Sequence, residues 1–100
     1  MAAPALSRPV SRYAVVWSDG AAAQTGRLEA YANRLELHGR DTAVVVPLAE
    51  IAEAAIERGP ADRLRGLPVL ALRRRDGSRL CVASLDGPGV LLELAALTSR

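Results

Sequence analysis

Residues 26–51, GRLEAYANRLELHGRDTAVVVPLAEI, constrain the fold more than any other part of the chain. Leu28 and Ala30 share one parity, and Arg27, Glu29 and Tyr31 the other. After Ala32-Asn33 the alternation resumes, with Leu35 and Leu37 apolar and Arg34, Glu36 and His38 polar. A period of two belongs to a half-buried strand, whose side chains point alternately to its two faces. A two-residue turn on Ala32-Asn33 sets Leu28 against Leu37 and Ala30 against Leu35 on the core side. That register also opposes Glu29 to Glu36, with Arg27 and Arg34 diagonally within reach. HGRD then turns the chain into TAVVV, residues 42–46, a run without alternation that reads as buried on both faces or as lying at a barrel seam. Pro47 has no N–H to donate and ends that ladder.

The flanking segments extend the pattern. RYAVVW at 12–17 is a β-branched and aromatic strand closed by SDG, with Trp17 on the core side beside Tyr13 and Val15. LPVLALRRRDGSRLCVASL reads as a hairpin about a type I′ turn at Asp76-Gly77. With Arg75 opposite Ser78, its core face carries Leu70, Leu72, Cys81, Ala83 and Leu85. Its other face carries Val69, Ala71, Arg73, Arg75, Leu80 and Val82. Residues 59–68 hold breakers without periodicity and read as a loop. The segment 48–58, LAEIAEAAIER, is ambiguous: Pro47, the Ala and Glu content and the spacing of Leu48, Ile51 and Ala55 favour a helix, while a strand would leave Ile51 out of phase with Ile56. After DGPG, the stripe Val90, Leu91, Leu94, Ala95 and Leu97 predicts a helix of about three turns. Such a helix is too short to stand alone in water and must lie on an apolar surface.

The totals are those of one domain. A chain of 100 residues buries roughly 65% of its extended surface. It is 50% hydrophobic but only 3% aromatic, so its core is expected from Leu, Val and Ile. All thirteen basic residues are Arg, and the net charge of +2 is too small to steer nucleic acid. Residues 1–11 read as a flexible tail without the features of a secretory leader, and 12–100 as the domain. No segment approaches the roughly 20 apolar residues of a membrane helix. Cys81 is the single cysteine, which excludes an internal disulfide and fits a reducing compartment.

The order of elements, together with GRLEAYANRLEL, VVVPLAEIAEAAIE and GLPVLALRRRDGSRLCVAS, resembles the pleckstrin-homology-like superfold, and more closely its GRAM-type and bacterial members. The resemblance covers residue 13 to the C-terminus and rests on hydrophobic rhythm. It implies a mainly β fold: a seven-stranded, partly open antiparallel barrel capped by one C-terminal α-helix. The strands would run near 13–17, 24–31, 34–38, 42–47, 51–57, 67–75 and 79–84, and the helix near 88–98. Residues 48–50 then become a turn and 51–57 a strand, against local propensity. Lipid-binding members carry basic residues after the first strand, where this chain reads SDGAAAQ.

No catalytic constellation is visible, and the chain is expected not to be an enzyme and to hold no cofactor or metal. His38 is the lone histidine, on an outward strand face, and metal-ligand partners are lacking. Cys81 reads as a buried small hydrophobe rather than a nucleophile. Carboxylates are scattered, and DGPG has no phosphate-loop spacing. Tyr31, on a polar face, is a candidate anchor for a partner. Arg73, Arg74, Arg75 and Arg79 form the densest basic cluster, split by alternation into Arg73 with Arg75 and Arg74 with Arg79.

The chain is therefore expected to be a binding module for a protein partner or for itself. The resemblance implies an extended segment pairing with the fifth strand, at Ile51, Glu53, Ala55 and Glu57, where Glu50, Glu53 and Glu57 favour basic partners. The alternative is a peripheral anionic-lipid or phosphate-binding module acting through Arg63, Arg65, Arg73 and Arg75. Nucleic acid is not an expected partner. The expected location is the cytoplasm, with the inner membrane surface following from the alternative.

Overall fold

A computed structural model describes residues 8–20, 22–87 and 89–98. Seven strands are followed by one helix: β1 (Ser11–Ser18), β2 (Gln24–Ala30), β3 (Arg34–His38), β4 (Ala43–Pro47), β5 (Ile51–Glu57), β6 (Val69–Arg74), β7 (Arg79–Ser84) and α1 (Gly89–Thr98). They form one antiparallel sheet in the order β4-β3-β2-β1-β7-β6-β5, so β4 and β5 are its two edges. The expected tail falls mostly on residues 1–7, outside the described residues. The ladder begins just after them, where the Val10 amide donates to the Ala30 carbonyl at 2.6 Å.

The sheet curls because one hydrophobic interior takes side chains from every strand. Val15 and Trp17 of β1, Leu28 of β2, Leu35 and Leu37 of β3, Val46 of β4, Ile51 of β5, Leu70 and Leu72 of β6, and Leu80 and Val82 of β7 share a single buried cluster. Leu91 and Leu94 of α1 complete it, so the helix plugs the half-barrel with the stripe its sequence predicts. At ~1.5–3 kcal/mol for each fully buried aliphatic or aromatic side chain, this cluster is the main stabilising term. Two polar links tie the helix end of the chain to β1: the Tyr13 hydroxyl donates to Glu93 Oε2 at 3.0 Å, and the Ala14 amide donates to Asp86 Oδ2 at 2.7 Å.

The first meander has the register expected from its alternation. Leu28 faces Leu37, Ala30 faces Leu35 and Glu29 faces Glu36, about a turn in which the Tyr31 amide donates to the Arg34 carbonyl. The ambiguous segment is a short 3₁₀ turn at Leu48–Glu50 followed by strand β5. The obstacle to a strand, the phase of Ile51 against Ile56, is removed by a register irregularity between Ile51 and Glu53. An extra residue there turns Ile51 back into the core beside Ile56.

Three expectations are corrected. β4 does alternate: Val44 and Val46 face the core and Val45 is 55% exposed, because β4 is not covered on both faces but lies at the open edge of the half-barrel, the seam that was the other reading of this run. The β6–β7 connection is not a two-residue type I′ turn. Arg74 N donates to Ser78 O and Gly77 N to Arg74 O, which leaves Arg75, Asp76 and Gly77 as a three-residue loop. Only Gly77 in it has a positive φ, 91°, the pattern of a type I turn closed by a glycine bulge. The added loop residue slips β7 by one position, so Leu80 and Val82 face the core, while Cys81 and Ala83 face outward. The same slip sets Arg73 directly opposite Arg79, on one face rather than two.

Cys81 and Ala83 are covered from outside. The segment after β5 folds back over the convex face, and Leu64 and Leu67 pack on Val16, Val69 and Ala83 in a second, smaller cluster. Leu64 and Leu67 exchange both backbone hydrogen bonds around Arg65 (φ 50°) and Gly66 (φ 79°). The type I′ turn expected at Asp76-Gly77 thus occurs here, in a stretch without periodicity.

Candidate functional site

Strand β5 pairs with β6 only, and α1 packs against β5, β6 and β7. The direction of its backbone groups follows from parity. Arg74 points its amide at β7 and Arg75 points its amide at the Glu50 carbonyl (2.8 Å), so Arg73, Ala71 and Val69 turn toward β5. Their partners Glu53, Ala55 and Glu57 therefore bond to β6. The N–H and C=O groups that β5 offers outward belong to Ala54 and Ile56. Sequence reasoning assigned the edge to Ile51, Glu53, Ala55 and Glu57; strand parity could not be read without the hairpin register.

The side chains divide the other way. Glu53, Ala55 and Glu57 lie on the convex face with Ala71, Arg73 and Arg79, whereas Ile51 is buried. Six half-buried apolar side chains border the core along β5 and α1: Leu48, Ala54, Ile56, Val90, Ala95 and Leu97. At the start of β5 a recess of about 370 Å³ opens between Leu48, Ala49, Ile51, Leu97 and Thr98, with Ala32, Asn33 and Arg75 around it. At the opposite end of α1 a second recess, about 270 Å³, is lined by Leu67, Pro68, Ser84, Leu85, Gly87 and Leu91. The edge strand and helix thus frame an apolar margin with a recess at either end.

The four arginines of the expected anion site fall on separate elements. Arg63 donates to the Gly66 carbonyl at 2.8 Å and Arg65 to Thr25 Oγ1 at 2.5 Å, both in the back-folded segment. Arg73 pairs with Glu53 at 3.1 Å, and Arg75 in the hairpin loop donates to the Ala49 carbonyl at 2.8 Å. Arg79, opposite Arg73, pairs with Glu57 at 2.5 Å. The two glutamates of the edge that were expected to attract cations are thus met by arginines of the same sheet. These are exposed pairs of small individual worth. Glu50 is exposed and carries no ion pair among the described residues.

His38 is less isolated than its sequence position suggests. Its Nε2 lies 3.2 Å from Glu29 Oε1 and 3.4 Å from Glu36 Oε1. One ligand atom from each of the three residues can be chosen within 4.8 Å of the others. Yet Arg12 (3.1 Å) and Arg27 (3.6 Å) already contact Glu29, and Arg34 Nε donates to Glu36 Oε2 at 2.7 Å. Three guanidinium groups against two carboxylates leave a locally positive surround, which opposes a divalent cation. The arrangement reads as a charge ladder across β1, β2 and β3 that relieves the Glu29–Glu36 opposition. Tyr31 is 8% exposed, with the Arg34 guanidinium 3.8 Å above its ring, so it is covered rather than offered to a partner. Cys81 is half-buried, and burial pushes its thiol up, with Glu57 and Asp62 adding to the rise and Arg79 opposing it. That is the environment of an inert thiol rather than an activated one.

No family model matches the chain, and no curated protein resembles it in sequence. Solved structures do match it in shape. The C-terminal domain of an unknown protein from Leishmania infantum superposes with a TM-score of 0.73 at 11% identity, over 93% of this chain and 85% of that one. A Vps36 N-terminal PH domain superposes with a TM-score of 0.69 at 16% identity, over 92% of this chain and 79% of that one. At such identities the likeness speaks to the fold alone, and with seven antiparallel strands curled into a half-barrel behind a C-terminal helix, that fold is the pleckstrin-homology-like one.

Proposed function

We propose that the chain is a non-catalytic binding module that takes up an extended protein segment as an added strand along β5. The observation that carries this reading is the β5 edge itself. Its outward backbone groups, those of Ala54 and Ile56, are bordered by a row of half-buried apolar side chains shared with α1. Main-chain pairing would supply affinity in this mode, and alternate side chains of the guest would enter the apolar margin. The recess at Leu48, Ile51 and Leu97 would take one apolar anchor. Glu50, exposed at the same end, favours a basic residue next to that anchor.

The test is selection of peptides from a random display library, followed by titration of a selected peptide into ¹⁵N-labelled protein. Shifts are expected at residues 51–57 and along α1. Ala54→Pro removes an outward donor without touching the β5–β6 ladder, because proline is tolerated where an edge strand faces solvent. That variant should keep its fold and weaken the peptide about tenfold or more, the loss expected when a hydrogen-bonded edge group is deleted and the guest strand is displaced. Shifts confined to other faces, or full binding by Ala54→Pro, would rule the β5 mode out. Anionic vesicles of phosphatidylserine serve as the second arm. Salt-sensitive co-sedimentation lost on exchanging Arg73 and Arg75 for Gln would move the assignment to lipid.

A further inference from the structure

The other edge of the sheet has a different character. No residue of β4, Ala43–Pro47, is charged, and Val45 at its centre is 55% exposed. β5 presents Glu53 and Glu57 on its convex face, as edge strands commonly do to discourage pairing. β4 has no such protection beyond Pro47. The orientation of its backbone is again set by parity. The Gly39 amide donates to the Thr42 carbonyl at 2.8 Å and the Leu48 amide to the Asn33 carbonyl at 2.9 Å. Thr42, Val44, Val46 and Leu48 therefore face β3, and Ala43, Val45 and Pro47 face outward.

We infer that two copies of this chain pair antiparallel through β4, about a two-fold axis at Val45. In that register the Val45 amide and carbonyl exchange hydrogen bonds with Val45 of the partner subunit. Each Ala43 amide donates to the carbonyl of Pro47 of the partner subunit. Every outward donor of β4 thus meets an acceptor, and the N–H that Pro47 lacks leaves only the Ala43 carbonyl at each end of the pairing to water. The two Val45 side chains meet on the convex face, flanked by Ala43 and Pro47, so the contact is apolar throughout. Of the charges beyond the strand, Asp41 falls opposite the uncharged Ala49 of the partner subunit, and Arg40 and Glu50 agree with the pairing. Arg40 lies five residues before Val45 and Glu50 five residues after, so each Arg40 comes to the same end as Glu50 of the partner subunit. Both are exposed, and neither carries an ion pair among the described residues. A register centred on Val44 would instead place Arg40 near Leu48 and Val45 against Ala43. The β4 pairing is isologous and closes at two copies. It leaves the outward groups of Ala54 and Ile56 on β5 available, and Glu50 is the one residue that both contacts use, so Arg40→Glu tests the dimer without touching the β5 edge.

The experiment is sedimentation velocity on the full chain across a dilution series into the high micromolar range. Concentration-dependent hydrogen exchange at the Ala43 and Val45 amides is measured alongside it. The wild-type chain should shift from monomer to dimer, and those two amides should slow in exchange as the dimer forms. Val45→Lys should abolish the dimer while leaving the monomer's circular dichroism and melting temperature intact, since the side chain lies outside the core. Arg40→Glu should weaken the dimer roughly three- to tenfold, the effect of two exposed ion pairs reversed together. Arg40→Glu with Glu50→Arg should restore it, and Ala54→Pro should leave it unchanged. A chain that stays monomeric throughout the series would overturn the inference. So would a dimer that persists in Val45→Lys, or one in which the Ala43 and Val45 amides exchange at the monomer rate.

Discussion

Gly26 is the position at which a single methyl group should do the most damage. A Cβ built there would stand 1.7 Å from the His38 carbonyl oxygen, 2.9 Å from its carbon and 3.2 Å from Trp17 Nε1. A carbon approaches a carbonyl oxygen no closer than about 3.3 Å in ordinary contacts. Backbone therefore has to move by roughly 1.5 Å, where β2 and β3 pass under the indole. The movement breaks the hydrogen bond that Trp17 Nε1 donates to the His38 carbonyl at 3.2 Å, worth about 1 kcal/mol. Overpacking adds ~1–3 kcal/mol, and the entropy gained by replacing a strand glycine returns only about 0.5–1 kcal/mol. Gly26→Ala should thus lose about 2–3 kcal/mol, or roughly 10–20 °C in melting temperature for a domain of this size. Far-UV circular dichroism and Trp17 fluorescence, followed together through thermal melts, measure both the loss and its seat. Gly89→Ala is the control: nothing lies within 4 Å of a Cβ there, at the first turn of α1, so it should be neutral or slightly stabilising. If Gly26→Ala melts within about 4 °C of the wild type, the close passage of β2 and β3 beneath Trp17 is wrong.

Two further outcomes concern titrating groups. Burial holds the Cys81 thiol above its ordinary value, so the folded state favours the neutral form. That contribution is complete below the ordinary thiol range and is lost as pH rises through the raised value. Urea midpoints should fall more steeply with alkaline pH in the wild type than in Cys81→Ala, and iodoacetamide should label the native thiol more slowly than the unfolded one; equal slopes and equal labelling would refute it. Asp76 shows the opposite sign: the Ser78 hydroxyl, then the Ser78 amide, hold its carboxyl below the ordinary carboxylate range. This support for the hairpin loop is present above that range and disappears as pH falls through the lowered value. In a carboxyl-detected NMR titration, Ser78→Ala should move the Asp76 midpoint upward, and an unmoved midpoint would show that the hydroxyl is not the cause.

For the proposed β5 edge, the sequence pointed to the strand but not to which of its atoms face outward. Residues 51–57 were legible as a strand only through the resemblance, because Ala and Glu content favoured a helix. The irregularity between Ile51 and Glu53 that reconciles the two isoleucines has no signature of its own. Ala54 and Ile56 went unnamed because their outward direction follows from the β6–β7 loop. That loop is one residue longer than Asp-Gly chemistry suggested. The Glu29–Glu36–His38 group lay within the register read from the sequence; what that register could not supply was Arg12, which helps neutralise the group from a third strand.

The alternation of residues 26–38 determined its own pairing. A one-residue slip of β3 against β2 would turn Leu35 and Leu37 away from the face that holds Leu28, and no local force outweighs that loss. The helix at the C-terminus was determined likewise, by an apolar stripe that has to be buried. Tertiary structure alone decided what alternation leaves degenerate: the faces of β7, the exposure of Val45 and the path of residues 59–68. In β7 both parities are apolar, Leu80 and Val82 against Cys81 and Ala83, so either face satisfies the hydrophobic effect locally. The larger pair went inward because the concave side of a curled sheet has room for it. The smaller pair faces a thin layer closed by Leu64 and Leu67.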